Sequence, residues 1–273
     1  MFLLYNYNNS GSYRLVELKN TTSLAKSQSK KQPNTSIEKI YYNNISRAKT
    51  SVKDIVLSND FNYFVTITIK NEFDRYNVDN AFSFLKKFLK KYKRKYHIFS
   101  YIFIAEYHRD GAIHFHGLVF LPSSAIDFDL YPRIIKNQKN NKFFHTFSSK
   151  IFDEFGRNTF DIITDKQKIS SYILKYITKD TLRTSTHRLY TCSHALKRAD
   201  KTYLNNSKLA DIYNNKQFFE NEFYKIIDFK ADELTQQQKL DLLNSKAISK
   251  YDIAKDYEAL LFYKKFKNII KKS

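Results

Sequence analysis

The 273-residue sequence contains one cysteine, four glycines, three prolines and no tryptophan. Its single thiol, Cys192, cannot close an intrachain disulfide, which excludes a disulfide-stapled secreted scaffold and makes a reducing compartment the expected setting. Glycine and proline are too scarce for a collagen-like or linker-rich chain. No apolar run approaches the roughly 20 residues of a membrane-spanning helix. The start, Met1-Phe2-Leu3-Leu4-Tyr5-Asn6-Tyr7, lacks the basic head, long apolar run and small-residue cleavage site of a signal peptide. A cytoplasmic protein with no membrane partner is therefore expected. Acidic residues are also in short supply. Asp and Glu number 27 against 47 Lys and Arg, a formal net charge of +20. Such a surplus repels itself unless an anionic partner is near, and nucleic acid is the commonest.

Hydrophobic residues make up 42% of the sequence, enough to bury a sizeable core. Lysine far outnumbers arginine, and Asn, Ile, Phe and Tyr abound, a usage that points to a very AT-rich genome. Residues 1–36 mix Asn, Ser, Thr, Lys and Gln and read as a flexible N-terminal arm with one short strand at 13–18. A helix is expected over 37–57, interrupted near Asn43-Asn44. Residues 61–69 (FNYFVTITI) read as a buried strand. Asp79 is placed to cap a helix running to Tyr96. Phe82, Leu85, Leu89, Tyr92 and Tyr96 form its apolar stripe, and Lys86, Lys87, Lys90, Lys91, Lys93, Arg94 and Lys95 form the other face. Such a run is usually a solvated face; DNA contact is the sharper alternative.

Two further strands, 99–107 (FSYIFIAEY) and 112–121 (AIHFHGLVFL), flank the turn signal Asp110-Gly111. Residues 123–150 read as a long insertion and 158–163 as a strand. Asp165 is placed to cap a helix over 166–179, and 187–192 reads as a last core strand. Residues 200–273 lack a strong strand pattern and are expected to be mostly helical, with a long helix near 248–270. The expected domains are thus the arm 1–36, a catalytic or binding domain 37–199, and a helical region 200–273.

Two clusters carry chemistry. On a strand, His114 and His116 of His114-Phe115-His116 project from one face. Alone, such a pair is most often a surface pair, but neutral imidazoles side by side also hold a divalent cation. Glu106 sits on the preceding strand. A three-residue loop, Arg109-Asp110-Gly111, pairs 106 with 114 and brings Glu106 to the histidine face. A two-residue loop, Asp110-Gly111, turns it to the other face, and both loops are locally acceptable. In the first case two imidazoles and a carboxylate suit Mg²⁺ or Mn²⁺. His108 is a lesser ligand candidate. The second cluster is Ser171-Tyr172-Ile173-Leu174-Lys175-Tyr176-Ile177-Thr178-Lys179. On a helix Tyr172 and Tyr176 stack at i and i+4, with Lys175 and Lys179 nearby. Tyrosines at this spacing are usually packing residues. Beside a metal and an ammonium, a phenol also serves as a nucleophile.

The order FVTITI, then Glu106-Tyr-His-Arg-Asp-Gly-Ala-Ile-His-Phe-His-Gly-Leu118, then Tyr172-Ile-Leu-Lys-Tyr-Ile-Thr-Lys179 resembles the three motifs of rolling-circle replication initiators, the HUH endonucleases. The downstream segment His187-Arg-Leu-Tyr-Thr-Cys-Ser-His194 is similar to the one that follows the tyrosine helix in such proteins. The resemblance is greatest to replication-associated proteins of small single-stranded DNA phages: microviruses, including those of spiroplasmas and chlamydiae, and the filamentous-phage gene II protein group. It covers roughly residues 45–195. The resemblance implies an α+β fold, a five-stranded antiparallel, RRM-like sheet with flanking helices. It implies Mg²⁺ or Mn²⁺ at His114 and His116, with Glu106 matching the acidic residue before them. It also implies that Tyr172, followed by Lys175, nicks one DNA strand and stays joined to its 5′ end, with Tyr176 as the second tyrosine. The implied partners are single-stranded or cruciform origin DNA, a host helicase, since no G-x-x-x-x-G-K-[ST] segment occurs here, and a host DNA polymerase, in the cytoplasm of an AT-rich bacterial host. The rival of another class is a non-catalytic single-stranded DNA- or RNA-binding protein on the same sheet.

Overall fold

The computed structural model describes residues 1–7, 10–19, 37–96, 99–108, 110–121, 129–136, 141–177, 189–214, 216–221, 224–245 and 247–248, with side chains described from 44 within the first helix and not at 247–248. The chain begins with a hairpin of β1 (Phe2–Tyr7) and β2 (Ser12–Leu18). It continues through α1 (Ile37–Ser58), β3 (Tyr63–Ile69), α2 (Val78–Lys95), β4 (Ser100–Tyr107), β5 (Ile113–Phe120), β6 (Leu130–Lys136), β7 (Phe143–Ser149), the short α3 (Lys150–Asp153), β8 (Gly156–Ile162), α4 (Lys166–Ile173) with a 3₁₀ turn over Leu174–Tyr176, and β9 (Tyr190–Cys192). The last part contains β10 (Asp200–Leu204), β11 (Phe219–Glu220), β12 (Tyr224–Lys230), α5 (Gln236–Leu243) and β13 (Ala247–Ile248). Residues 35–198 form one compact unit; residues 1–34 and 199–273 form the other. No helix among the described residues is long and apolar enough to cross a membrane.

The protein is α+β, with two antiparallel sheets. In the central unit the order is β6-β7-β8-β3-β5-β4-β9. This sheet has seven strands where five were expected, because β6 and β7, from the stretch read as an insertion, pair along their length and extend it through β8. Strict alternation sorts its two faces. Val65, Ile67, Phe103, Phe115 and Phe160 pack with Phe82, Leu85, Leu89 and Tyr92 of α2. Phe64, Ile102, Ile104 and Leu118 point the other way, against Val52, Ile55 and Val56 of α1 and against Ile173 and Ile177. Gly117 permits the crossing of β4 and β5: a Cβ there would meet the Phe103 ring and the Ile102 carbonyl. Helix α1 runs without the expected interruption at Asn43-Asn44. Helix α2 is capped by Asn77, whose side chain accepts from the Asn80 N–H, rather than by Asp79; Asp79 sits in the first turn, where its charge favours the helix N-terminus.

The terminal unit corrects two expectations. The flexible arm contains β1 and β2, and the region expected to be helical supplies strands β10 to β13 to the same sheet, in the order β11-β12-β2-β1-β10-β13. Phe2, Leu15, Leu204, Ile212, Ile227 and Phe229 form its core, so each end of the chain buries what the other cannot bury alone. The long helix expected near 248–270 lies outside the described residues, as do residues 187–188 of the expected last strand, of which 190–192 is β9.

Candidate active site

The hairpin register sets the site. His108 N–H donates to the Ala112 carbonyl at 2.7 Å, Gly111 N–H to the His108 carbonyl at 2.9 Å, and Gly111 takes φ +81°. A glycine adopts that conformation without steric cost. Glu106 consequently pairs with His114, and Ile104 with His116. On its other side β5 pairs His116 with Thr66 and His114 with Thr68. Glu106, His114, His116, Thr66 and Thr68 thus share the face opposite α2. Asp110 ties the turn together: its carboxylate accepts from Ala112 N–H at 3.0 Å, from Arg75 at 3.2 Å, and meets His108 Nδ1 at 3.1 Å.

His116 is the best-held member, only 9% exposed. Its Nε2 lies 3.0 Å from Glu106 Oε2, and its Nδ1 lies 3.3 Å from Thr66 Oγ1. Burial, reinforced by nearby His114, pushes the His116 imidazole down to about 4. Burial likewise lowers His114 to about 4, with His108 adding to the effect and Asp110 opposing it. Burial raises Glu106. The His116–Glu106 contact at neutral pH is therefore a neutral N–H donating to a carboxylate, not an ion pair. The Thr66 hydroxyl can donate or accept, so it satisfies Nδ1 in either tautomer and leaves Nε2 free to present a lone pair. His108 stacks on His114 with ring centroids 4.4 Å apart, so the third histidine also adjoins the site.

Asp165 caps α4 as expected, accepting from Gln167 and Lys168 N–H. The helix stops at Ile173, short of the expected 179; the 3₁₀ turn follows, and residues 178–179 lie outside the described residues. The two tyrosines therefore stand on different kinds of turn. Tyr176 lays its ring on His116, centroids 3.8 Å apart and nearly parallel. Its hydroxyl donates to the Tyr172 hydroxyl at 3.0 Å. Phe64 packs edge-on to Tyr172 at 5.3 Å and stacks with Tyr176 at 6.4 Å. Lys175 Nζ sits 5.0 Å from the Tyr172 ring centroid. Tyr172 is 41% exposed, whereas burial and the hydrogen bond to Tyr172 raise Tyr176 and keep its proton in place. The structure thus gathers His114, His116, Glu106, Tyr172, Tyr176 and Lys175 around one end of β5. Thr66 and Phe64 were missed in the sequence, although the alternation in Phe64-Val65-Thr66-Ile67-Thr68-Ile69 already marks threonines on one face of an otherwise apolar strand.

Among the described residues no three His, Cys, Asp or Glu side chains converge as a ready metal cluster. The donor types nonetheless fit a hard divalent cation: two neutral imidazoles, one with a Thr66-supported tautomer, and a carboxylate on the same face.

The lowered histidines make stability pH-dependent in a defined direction. In an unfolded chain imidazoles take up protons near pH 6.5; His114 and His116 in the folded, metal-free protein do so only near 4. Between those values the unfolded state binds more protons. Stability is expected to be level above pH 7 and to fall as pH drops from 6.5 toward 4, with raised Glu106 opposing the fall in its lower part. Urea midpoints at about pH 7.5, 6 and 5 read this directly, and His116→Gln should flatten the drop. A wild-type midpoint that rises on acidification would contradict a neutral buried pair.

Residues 62–181 match the family model for the replication-associated proteins of the ORF2 and gene II protein group. The matched stretch spans β3, the His114–His116 hairpin and the Tyr172–Tyr176 turn. No curated protein and no solved structure matches the chain. The match supports a replication initiator role.

Proposed function

We propose that this chain is a replication initiator that nicks one DNA strand at an origin through a tyrosine and later rejoins the ends to release unit-length circles. The observation that carries the reading is the meeting of two tyrosine hydroxyls 3.0 Å apart beside a buried neutral histidine, inside the stretch that matches replication-associated proteins. Packing residues would have no need to bring two phenols together next to His116 and Glu106.

Tyr172 is the first nucleophile. It is the more exposed phenol, and the hydrogen bond that Tyr176 donates to its oxygen stabilises the developing phenolate. Tyr172 Oη forms a bond to the scissile phosphorus, the bond from phosphorus to the 3′ oxygen breaks, and the phenolic proton passes through water to the leaving 3′-hydroxyl. Lys175, beside the Tyr172 ring, supplies positive charge where the phosphate approaches. Mg²⁺ or Mn²⁺ held by His114, His116 and Glu106 would supply neutralisation of the non-bridging phosphate oxygens. The phosphotyrosine conserves the bond energy, so a later 3′-hydroxyl reseals the strand without ATP. Tyr176, waiting at the same spot, accepts the second cleavage while Tyr172 still holds the first end. A host polymerase extends the freed 3′-hydroxyl and a host helicase opens the duplex. The basic chain, +20 overall, attracts the origin as single-stranded or cruciform DNA.

The test is direct. The protein is incubated with single-stranded DNA of its own replicon and Mn²⁺, and denaturing gels followed by mass spectrometry look for nucleotide on tyrosine. An adduct on Tyr172 or Tyr176 supports the reading. DNA binding without any adduct, over a range of metals, sinks it in favour of a binding protein.

A further inference from the structure

Helices α1 and α4 cover only one end of the face that bears the site. Phe64, Ile102, Ile104 and Leu118 lie under them, whereas at the other end of the same strands Glu106 is exposed and Thr66, Thr68 and His114 are half-buried. The register carries this uncovered end across the sheet. Glu106 pairs with His114, His114 with Thr68, and Thr68 with Arg157. The next row runs Ile104, His116, Thr66, Thr159. Residues directly opposite across antiparallel strands present their side chains on one face. Arg157 and Thr159 therefore belong to the face of the histidines and tyrosines, while the intervening Asn158 and the following Phe160 are buried toward the α2 side.

Arg157 is well placed for more than solvation. It is exposed, and among the described residues it stands in no ion pair or hydrogen bond. Its backbone is fixed on both sides. A Cβ at Gly156 would collide with the Thr68 carbonyl, so β8 is pressed against β3 at this point. Asn158 clamps the strand with hydrogen bonds to the backbone of Ser149 and Gly156 and to the Asp153 carboxylate. A guanidinium without an acidic partner, on a rigid strand in the row of the candidate metal ligands, has the geometry to receive an oxyanion in bidentate fashion. The hydroxyls of Thr68 and Thr159 flank it as further donors.

We propose that Arg157, with Thr68 and Thr159 beside it, forms a subsite for a phosphate of the single DNA strand, next to the phosphate on which the tyrosines act. The proposal rests on the nicking reading above. Arg157 lies two strand spacings from His114, about 10 Å. It therefore contacts a neighbouring phosphate, not the scissile one, and fixes the strand's path and polarity across β5, β3 and β8. It is a binding and positioning residue.

The test separates this subsite from the reading beneath it. Binding is measured on a Tyr172→Phe, Tyr176→Phe background, which cannot cleave. The probe is a single-stranded origin oligonucleotide in which one phosphate at a time is replaced by an uncharged methylphosphonate. One non-scissile position should weaken binding when neutralised, and Arg157→Ala should erase that penalty. Arg157→Ala should lower affinity about tenfold, in line with a charged hydrogen bond, and make the log–log salt dependence shallower by about 0.7. Arg157→Lys should retain the salt slope and recover only part of the affinity. In the cleaving protein, Arg157→Ala should raise KM for nicking more than it lowers kcat. An unchanged affinity and salt slope, or a methylphosphonate penalty that persists in Arg157→Ala, overturns the subsite. If wild type forms the tyrosine adduct but no scan position couples to Arg157, the subsite fails alone. If the coupling is found but no adduct ever forms, nicking fails while the phosphate contact stands. If the strand does not bind at all, both fall.

Discussion

Tyr172→Phe should lower the rate of the first covalent protein–DNA adduct by on the order of 10⁴-fold or more, the scale on which removing a nucleophile acts when only positioning and binding remain. The substitution deletes one oxygen from a ring that is 41% exposed, so fold and DNA affinity should hold. Tyr176 cannot simply take over. Its ring is fixed against His116, its proton is held by burial and by the bond it donates, and a misplacement of about 1 Å costs roughly a hundredfold in rate. Tyr176→Phe should behave differently. It removes the donor to the Tyr172 oxygen and should slow the first nick by roughly ten- to a hundredfold, the worth of one hydrogen bond to a charged group. It should then stop after one cleavage, because no second phenol is left for the transfer that releases a circle. Single-turnover kinetics with an end-labelled strand, and mass spectrometry of the adduct, distinguish the two. If Tyr172→Phe keeps the first adduct and Tyr176→Phe loses it, the order is reversed. If the double variant still forms an adduct, the nucleophile lies elsewhere.

The parts of this arrangement that follow from short spacings were legible in the sequence. His114 and His116 share a face because a strand has period two, and that holds wherever the strand lies. Glu106 was not fixed in the same way. Two loops satisfied Asp110-Gly111, and the choice was made by the hydrogen bond from His108 to Ala112 and by Asp110 bridging the turn to Arg75, which comes from the segment before α2. The tyrosine spacing suggested an α-helical stack; the chain tightens into a 3₁₀ turn after Ile173, and the hydroxyls converge instead of lying one above the other. Least legible was the terminal sheet. Leu15 faces Ile227 and Leu4 faces Thr202. Pairing partners so distant in the chain leave no local periodicity to read, and each end taken alone is too polar and too short to announce a core. Arg157 was invisible for a related reason. Only the registers of three strand pairs place it in the row of His114.

His116→Ala should abolish most metal-dependent nicking while leaving single-strand affinity within about threefold, since phosphate contacts from Lys and Arg carry the affinity. The imidazole has three neighbours: Glu106 at Nε2, Thr66 at Nδ1 and the Tyr176 ring at 3.8 Å. Its loss removes a proposed metal donor and also the surface that fixes Tyr176, so both activation of the phosphate and alignment of the second phenol suffer. A cavity at this nearly buried position should cost about 1–3 kcal/mol of stability, read as a lowered urea midpoint without loss of the cooperative transition. That structural cost is separated from the metal by two further measurements. Chelation of wild type with EDTA should reproduce the loss of nicking but leave the adduct-competent fold intact, and added Mn²⁺ should restore it. His114→Ala, whose side chain does not pack on Tyr176 and stacks instead on His108, should require much more Mn²⁺ for half-maximal nicking while keeping the order in which the tyrosines react. Wild-type nicking rates for His116→Ala in limiting Mn²⁺, or nicking that survives EDTA in the wild type, would remove the histidine pair from the reaction and leave the tyrosines to be activated by Lys175 and Glu106 alone.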